Sequence, residues 1–212
     1  MQFRLLLYNS TMNIEDLNSE LAEAGAPTDY TALGQKHTPL EALASSQFSA
    51  KPYAAILIKY LRDPEVEHKD FIARALTEKG LSMAAKPLLE VFEDSKMTKM
   101  QLWAVGNALY VIDDKSTYKE IIQLVKKTEL GNARQMLLGT LARSKDTEAY
   151  EVLIDCLHDA SVKGHAIEAL GKFGNTEAIK ILEKTEVEKG KFEFKAKQTA
   201  LKKLQRKLAN NT

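Results

Sequence analysis

VKGHAIEALGKFGNTEAIKILE, residues 162–183, decides the fold. Ala166, Ile167, Ala169, Leu170 and Phe173 recur at the spacing of one helix face. Gly174 and Asn175 interrupt the pattern, and Ala178, Ile181 and Leu182 open a second apolar stripe. Two short helices joined by a tight turn cannot hide both stripes from water, so the hairpin needs a neighbour on which to stack.

The chain supplies such neighbours. An equivalent leucine falls at Leu76, Leu109, Leu141, Leu170 and Leu201, at steps of 33, 32, 29 and 31 residues. The residue before each is small (Ala75, Ala108, Thr140, Ala169, Ala200), which lets helix backbones come close. A second register at Leu89, Ile122, Leu153 and Leu182 follows the first by 13, 13, 12 and 12 residues, and an earlier unit at Leu43 and Ile56 keeps the 13. Two independent registers that agree over successive units predict an all-α solenoid of antiparallel helix pairs.

The flanks depart from the repeat. Residues 12–24 predict a helix with Ile14, Leu17 and Leu21 on one face, ended by Gly25-Ala26-Pro27, and a short helix is expected over Leu40 to Ala44. YAAILIKYL, residues 53–61, is apolar nearly all round and must be covered on two sides. The layout expected is a single solenoid domain over 1–212: an N-terminal helical cap over 1–50, hairpins over 51–187 and a basic C-terminal capping helix over 188–212.

Composition excludes little. Charged residues make up 28% of the 212 residues and the formal net charge is +1, so no global imbalance points to nucleic acid or an anionic membrane. Locally the ends differ: from Glu188 onward eight basic residues stand against two acidic, whereas 1–50 holds two basic and six acidic. That polarity predicts a salt-sensitive head-to-tail self-association, which sedimentation at low and high salt reads. The one cysteine, Cys156, lies in the apolar run VLIDCL and reads as a buried thiol in a reducing compartment. MQFRLLLYNS is too short for a signal-peptide core or a membrane span, and a cytoplasmic location is expected.

LHDASVKGHAIEALGKFGNTEAIKILE, residues 157–183, resembles the short HEAT-like repeat of the type also found in phycobilin lyases. It has an acidic turn, a Val-basic start, an Ala-x-x-Ala-Leu-Gly helix and an Ala-x-x-x-Leu second helix. The likeness is best over 134–185 and fair over 53–128, and the larger pattern is similar to stand-alone bacterial HEAT-repeat proteins. The resemblance implies a right-handed superhelix whose second helices line a concave, partner-binding groove. It carries over no catalytic residue, and no enzyme activity, cofactor or metal is expected.

The outward positions of the second helices follow from their apolar stripes: Glu90 and Asp94; Glu120, Gln123 and Lys127; Glu151, Asp155 and His158; Lys180, Glu183 and Lys184. These are the expected partner-binding residues. The row is mixed in sign, which favours a protein partner. The alternative is nucleic acid, as in HEAT-like DNA alkylation-repair glycosylases, on the strength of Trp103 and the basic last helix. A lyase-like chaperone of a chromophore rests on fold analogy alone.

Four residues read as structural. Seven before each anchor stand Lys69, Leu102, Arg134, Lys163 and Phe194, a mixture expected at the edge of a buried stripe, with basic heads reaching toward acids such as Glu65 and Asp159, which stand four residues before Lys69 and Lys163 in the turns between repeats. Arg134, Asp159 and Lys163 therefore form a ladder between repeats. Trp103, beside the mid-helix Gly106, reads as packing at a close helix contact rather than as a groove-facing anchor. Asp155, His158, Asp159 and His165 are metal-ligand types, but Asp159 has a turn-capping role to fill, so no metal is assigned to them.

Overall fold

A computed structural model describes residues 13–29, 34–45, 47–92 and 96–210. The expectations for residues 1–12 and for Asp94 lie outside them. Twelve α-helices run through the described residues: α1 (Ile14–Glu23), α2 (Pro39–Ala44), α3 (Ala54–Arg62), α4 (Lys69–Ala75), α5 (Ala85–Val91), α6 (Lys99–Ile112), α7 (Tyr118–Lys126), α8 (Gln135–Ser144), α9 (Thr147–Asp155), α10 (Lys163–Phe173), α11 (Ala178–Lys184) and α12 (Phe192–Ala209). They form an all-α solenoid. The even-numbered helices stack on one another from α2 to α12, and each also packs on the odd-numbered helix before it.

Local chemistry sets the helix ends. Asn13 with Asp16, Thr38 with Glu41 and Thr98 with Gln101 form reciprocal capping boxes at the starts of α1, α2 and α6. Three successive even helices stop on a left-handed residue: Asp113 after α6, Lys145 after α8 and Gly174 after α10.

The first register is buried as the spacing requires. Leu76, Leu109, Leu141 and Leu170 are all in the core, and so is the small residue before each of the five anchors. The second register holds at Ile122, Leu153 and Leu182 but is off by one residue in the first two units, one later in α3 and one earlier in α5. Leu57 and Leu88 are fully buried, whereas Ile56 and Leu89 are only partly so. One residue turns a helix by about 100°, so the core-facing arcs of α3 and α5 are centred on the neighbouring leucine.

The apolar α3 is covered as its composition demands, with α5 packing on it from one side and α1 from another. The Tyr53 hydroxyl donates to Gly25 O (3.0 Å), and Lys59 and Tyr60 both donate to Glu20 (2.7 and 3.0 Å).

At the other end, Leu201 is only partly buried, because no odd helix follows α12 among the described residues. Gln198 is exposed at the position where, 31 residues earlier, Ile167 is fully buried. The polar substitution blunts the last face of the stack.

The even helices make the closer row. A Cβ placed on Gly171 of α10 would lie 2.8 Å from Ala200 Cβ and 2.9 Å from Ala200 Cα, so α10 and α12 approach backbone to backbone. Gly106 of α6 is also at a helix contact, facing Ala133 O and Met136 Cβ at 3.4 Å.

Thr140 is the one polar member of the small-residue row, and its buried hydroxyl has no hydrogen-bond partner among the described residues. An unpaired buried hydroxyl costs about 1–3 kcal/mol. Thr140→Val, which puts a methyl in its place, is expected to stabilise the protein by about 1 kcal/mol, a rise of roughly 3 °C in Tm for a chain of this size. A calorimetric scan showing a lower Tm would refute the reading of that hydroxyl as a liability.

Candidate functional site

The expected partner-binding residues lie on the odd-numbered helices and their ends. Glu90 is on α5, Glu120 and Gln123 are on α7, and Lys127 follows α7. Glu151 and Asp155 are on α9, His158 is in the 3-10 turn after it, and Lys180, Glu183 and Lys184 are on α11. All ten are exposed.

Some are already engaged. Arg62 donates to both Glu90 oxygens (2.8 and 3.0 Å), and this bond holds the Glu90 carboxyl below the usual range. Gln123 reaches Glu148, which also pairs with Lys126 (2.6 Å). Glu120, Glu151, Asp155, Lys180 and Lys184 make no side-chain pair among the described residues.

The structural set comes together around Arg134. It sits where a 3-10 segment (Thr128–Arg134) meets α8, and it is almost completely buried. Its guanidinium donates to Gly131 O (3.1 Å), Val125 O (2.9 Å), the Asp159 carboxylate and Ser161 Oγ (3.3 Å). One side chain thus ties the end of α7 and the start of α8 to the turn that opens the next repeat.

Asp159 is organised in turn. Its other oxygen accepts from Ser161 N (2.9 Å) and Ser161 Oγ (2.7 Å). Burial opposes ionisation, but the bonds from Ser161 and Arg134 prevail and hold its carboxyl below the usual range. The ladder differs from the spacing argument in one respect. The acid that meets Arg134 comes from the following repeat's turn rather than its own, and Lys163 donates instead to Glu186 O (3.4 Å). Side chains at the edge of a stack point toward the next layer, which linear spacing does not show.

Trp103 is half-buried and makes a cross-repeat link: its Nε1 donates to Gln135 Oε1 (3.1 Å), while Gln135 Nε2 donates to Ser161 O (2.8 Å). Asp155, His158, Asp159 and His165 do not assemble. Asp159 is taken by Arg134 and Ser161, and the His165 ring packs on Phe192 with centroids 5.3 Å apart. Among the described residues no group of three or more His, Cys, Asp or Glu is placed to hold a metal ion. Cys156 is buried, and desolvation pushes its thiol up to about 11, far from thiolate chemistry at neutral pH.

A feature that sequence reading passed over lies on the opposite face. Tyr110, Met136, Gly139, His165, Ala169 and Lys172, from α6, α8 and α10, line a small depression. The sequence signal was there: Phe71, Met136 and His165 stand five before their anchors and Trp103 six before, a recurring large or aromatic residue on the side away from the core.

No helix among the described residues is long and apolar enough to cross a membrane. A search of the curated proteins finds no match to this sequence. Residues 118–188, which span α7 to α11, match the family model for HEAT repeats. With that match falling on successive helix pairs at the centre of the stack, residues 118–188 are built of HEAT repeats.

Proposed function

We propose that the chain is a non-enzymatic scaffold that holds a protein partner along the exposed face of its odd-numbered helices. HEAT repeats commonly serve as protein-interaction scaffolds. The observation that carries the reading to this face is its unspent charge. Glu120, Glu151, Asp155, Lys180 and Lys184 are exposed and make no internal side-chain pair among the described residues, unlike the charges spent on bridging repeats, as in Lys59 with Glu20, Arg62 with Glu90 and Arg134 with Asp159. Such charges add little to stability and are available to set the register of a partner. The mixture of signs suits a protein surface better than a phosphate backbone. On the same reading, 1–50 acts as a cap, 51–187 as the binding array and 188–212 as the closing helix.

The triple charge reversal Glu120→Lys, Glu151→Lys, Lys180→Glu tests it. With the wild-type chain as bait in extract from its native cells, the variant is expected to recover the captured partner about tenfold less well, or about 1.4 kcal/mol. Its Tm is expected to stay within about 2 °C, since no internal pair is lost. Equal recovery by the two baits would remove this face from the interaction.

A further inference from the structure

Interfaces draw most of their binding energy from a few large side chains, chiefly Trp, Tyr and Arg, with Met also enriched. The odd-helix face offers none among its ten residues. The even helices do. Phe71 on α4, Met136 on α8 and His165 on α10 occupy equivalent outward positions, Trp103 on α6 stands one residue off the register, and Phe192 of α12 meets the His165 ring. The row is held together by the Trp103–Gln135–Ser161 hydrogen bonds and by the ring contact of His165 with Phe192, and Phe71 and Phe192 remain 43% and 48% exposed.

Between α6, α8 and α10 this row opens into the depression, about 150 Å³ in volume. Gly139 creates it: a Cβ there would lie 2.8 Å from the Tyr110 ring, so only glycine lets that ring lie against α8. A cavity of about 150 Å³ accommodates one benzene ring. It is well below the roughly 300 Å³ at which small-molecule sites begin.

One edge of the face is basic. Arg143 donates to Tyr110 O (2.7 Å), Lys145 to Phe173 O (2.9 Å) and Lys207 to Gly174 O (2.7 Å), so three cations are pinned on the carbonyl ends of α6 and α10. Lys172 Nζ stands 5.9 Å from the Tyr110 ring centroid and is exposed. Asp113 is paired with Arg143 (3.2 Å). Glu168 and Gln135 lie on the rim.

We propose that this depression is a docking site for an extended, acidic segment of a partner protein, which inserts one aromatic side chain between Tyr110, Met136 and His165 and lays its carboxylates along Lys172 and the neighbouring basic edge. The site rests on the scaffold reading but lies on the other face from the odd-helix row. A nucleobase with its phosphates shares the two features of ring and anion. It fits less well, because a nucleic-acid strand is held by stacking successive bases along a groove of cations, whereas this depression takes a single ring and Arg143 is already paired with Asp113.

The test is a titration of the full chain, carrying ¹³C-methyl methionine, with a synthetic peptide of Asp and Glu around a single central Phe. The Met136 methyl signal is expected to shift and saturate. Replacing the peptide's Phe by Ala, or Lys172→Glu in the protein, is expected to weaken the response about tenfold or more. Circular dichroism confirms that the Lys172 variant, altered at an exposed position, is folded. The triple reversal on the odd helices is expected to leave the response intact, which separates this site from the face proposed above. No shift at millimolar peptide, an equal shift with the Ala peptide, or loss of the shift in the triple variant would overturn the proposal. So would a stronger response to a short single-stranded oligonucleotide, in that case in favour of nucleic acid.

Discussion

Asp159→Ala is expected to destabilise the protein by about 3 kcal/mol, although Asp159 itself is partly exposed. The cost falls on its partner. The Arg134 side chain is only 2% exposed, and without the carboxylate its charge would be left with the carbonyls of Gly131 and Val125 and the Ser161 hydroxyl. Removing one member of a buried pair costs about 3–5 kcal/mol, and the 29% exposure of the Asp159 side chain lets water return part of that. Arg134→Leu is expected to cost a similar amount through the stranded carbonyls.

The double variant is the sharper measurement, since an apolar side chain at position 134 needs no counter-charge. Its loss in urea unfolding should fall short of the sum of the single losses by about 2 kcal/mol. Strict additivity would mean that the pair does not hold the repeats together.

The same pair fixes a pH dependence. Asp159 has a folded pKa below its ordinary value of 3.8, so its stabilising contribution is fully present above about pH 4 and disappears as pH falls through the lower folded value. The stability gap between wild type and Asp159→Asn should therefore close only in acid below about pH 4, and a gap that closed near neutrality would contradict the assignment.

Gly171→Val is the second large effect expected, about 3 kcal/mol, concentrated in the last helix. Two quantities of opposite sign compete at this position. Replacing a mid-helix glycine usually gains up to about 1 kcal/mol of helix propensity, most with Ala and less with Val. Here a Cβ would sit under 3.0 Å from both Cβ and Cα of Ala200, and Cα belongs to the main chain, which cannot swing aside as a side chain can. Overpacking of this kind typically costs about 1–3 kcal/mol, and the added valine methyls put it at the top of that range.

Because α12 is the last layer among the described residues, it can lift away without unfolding α4 to α10. Hydrogen exchange should thus rise first over Phe192–Ala209. The swap Gly171→Ala with Ala200→Gly should regain part of the loss, since one of the two close contacts is relieved. Unchanged exchange in α12 after Gly171→Val would show that the helices are not in backbone contact.

Much of the stack was legible in the residues because a repeating burial requirement leaves a repeating pattern. Leu109, Leu141 and Leu170 announced a core, and the structure places all three at 2% exposure or less. The outward polarity of Glu120, Glu151 and Lys180 followed from the same arithmetic. Three things did not follow. The one-residue shift to Leu57 and Leu88 depends on which helices cover α3 and α5, a tertiary matter.

The partner of Arg134 is contributed by the next repeat, 25 residues on, where spacing within one hairpin cannot see it. The depression at Tyr110 depends on Gly139, whose missing side chain reads in sequence as a weak helix position rather than as room for a ring.

Arg134 also sets an order of events while the chain is being made. A ribosome releases the chain from its N-terminus, so α7 and the start of α8 emerge before the Asp159 turn that neutralises the guanidinium between them. Until that turn arrives, the middle of the rod must keep a charge in water that the finished protein keeps dry. Nascent chains that stop short of residue 159 should therefore hold α7 and α8 loosely apart. The central layer should close only when the Asp159 turn of the next one is at hand.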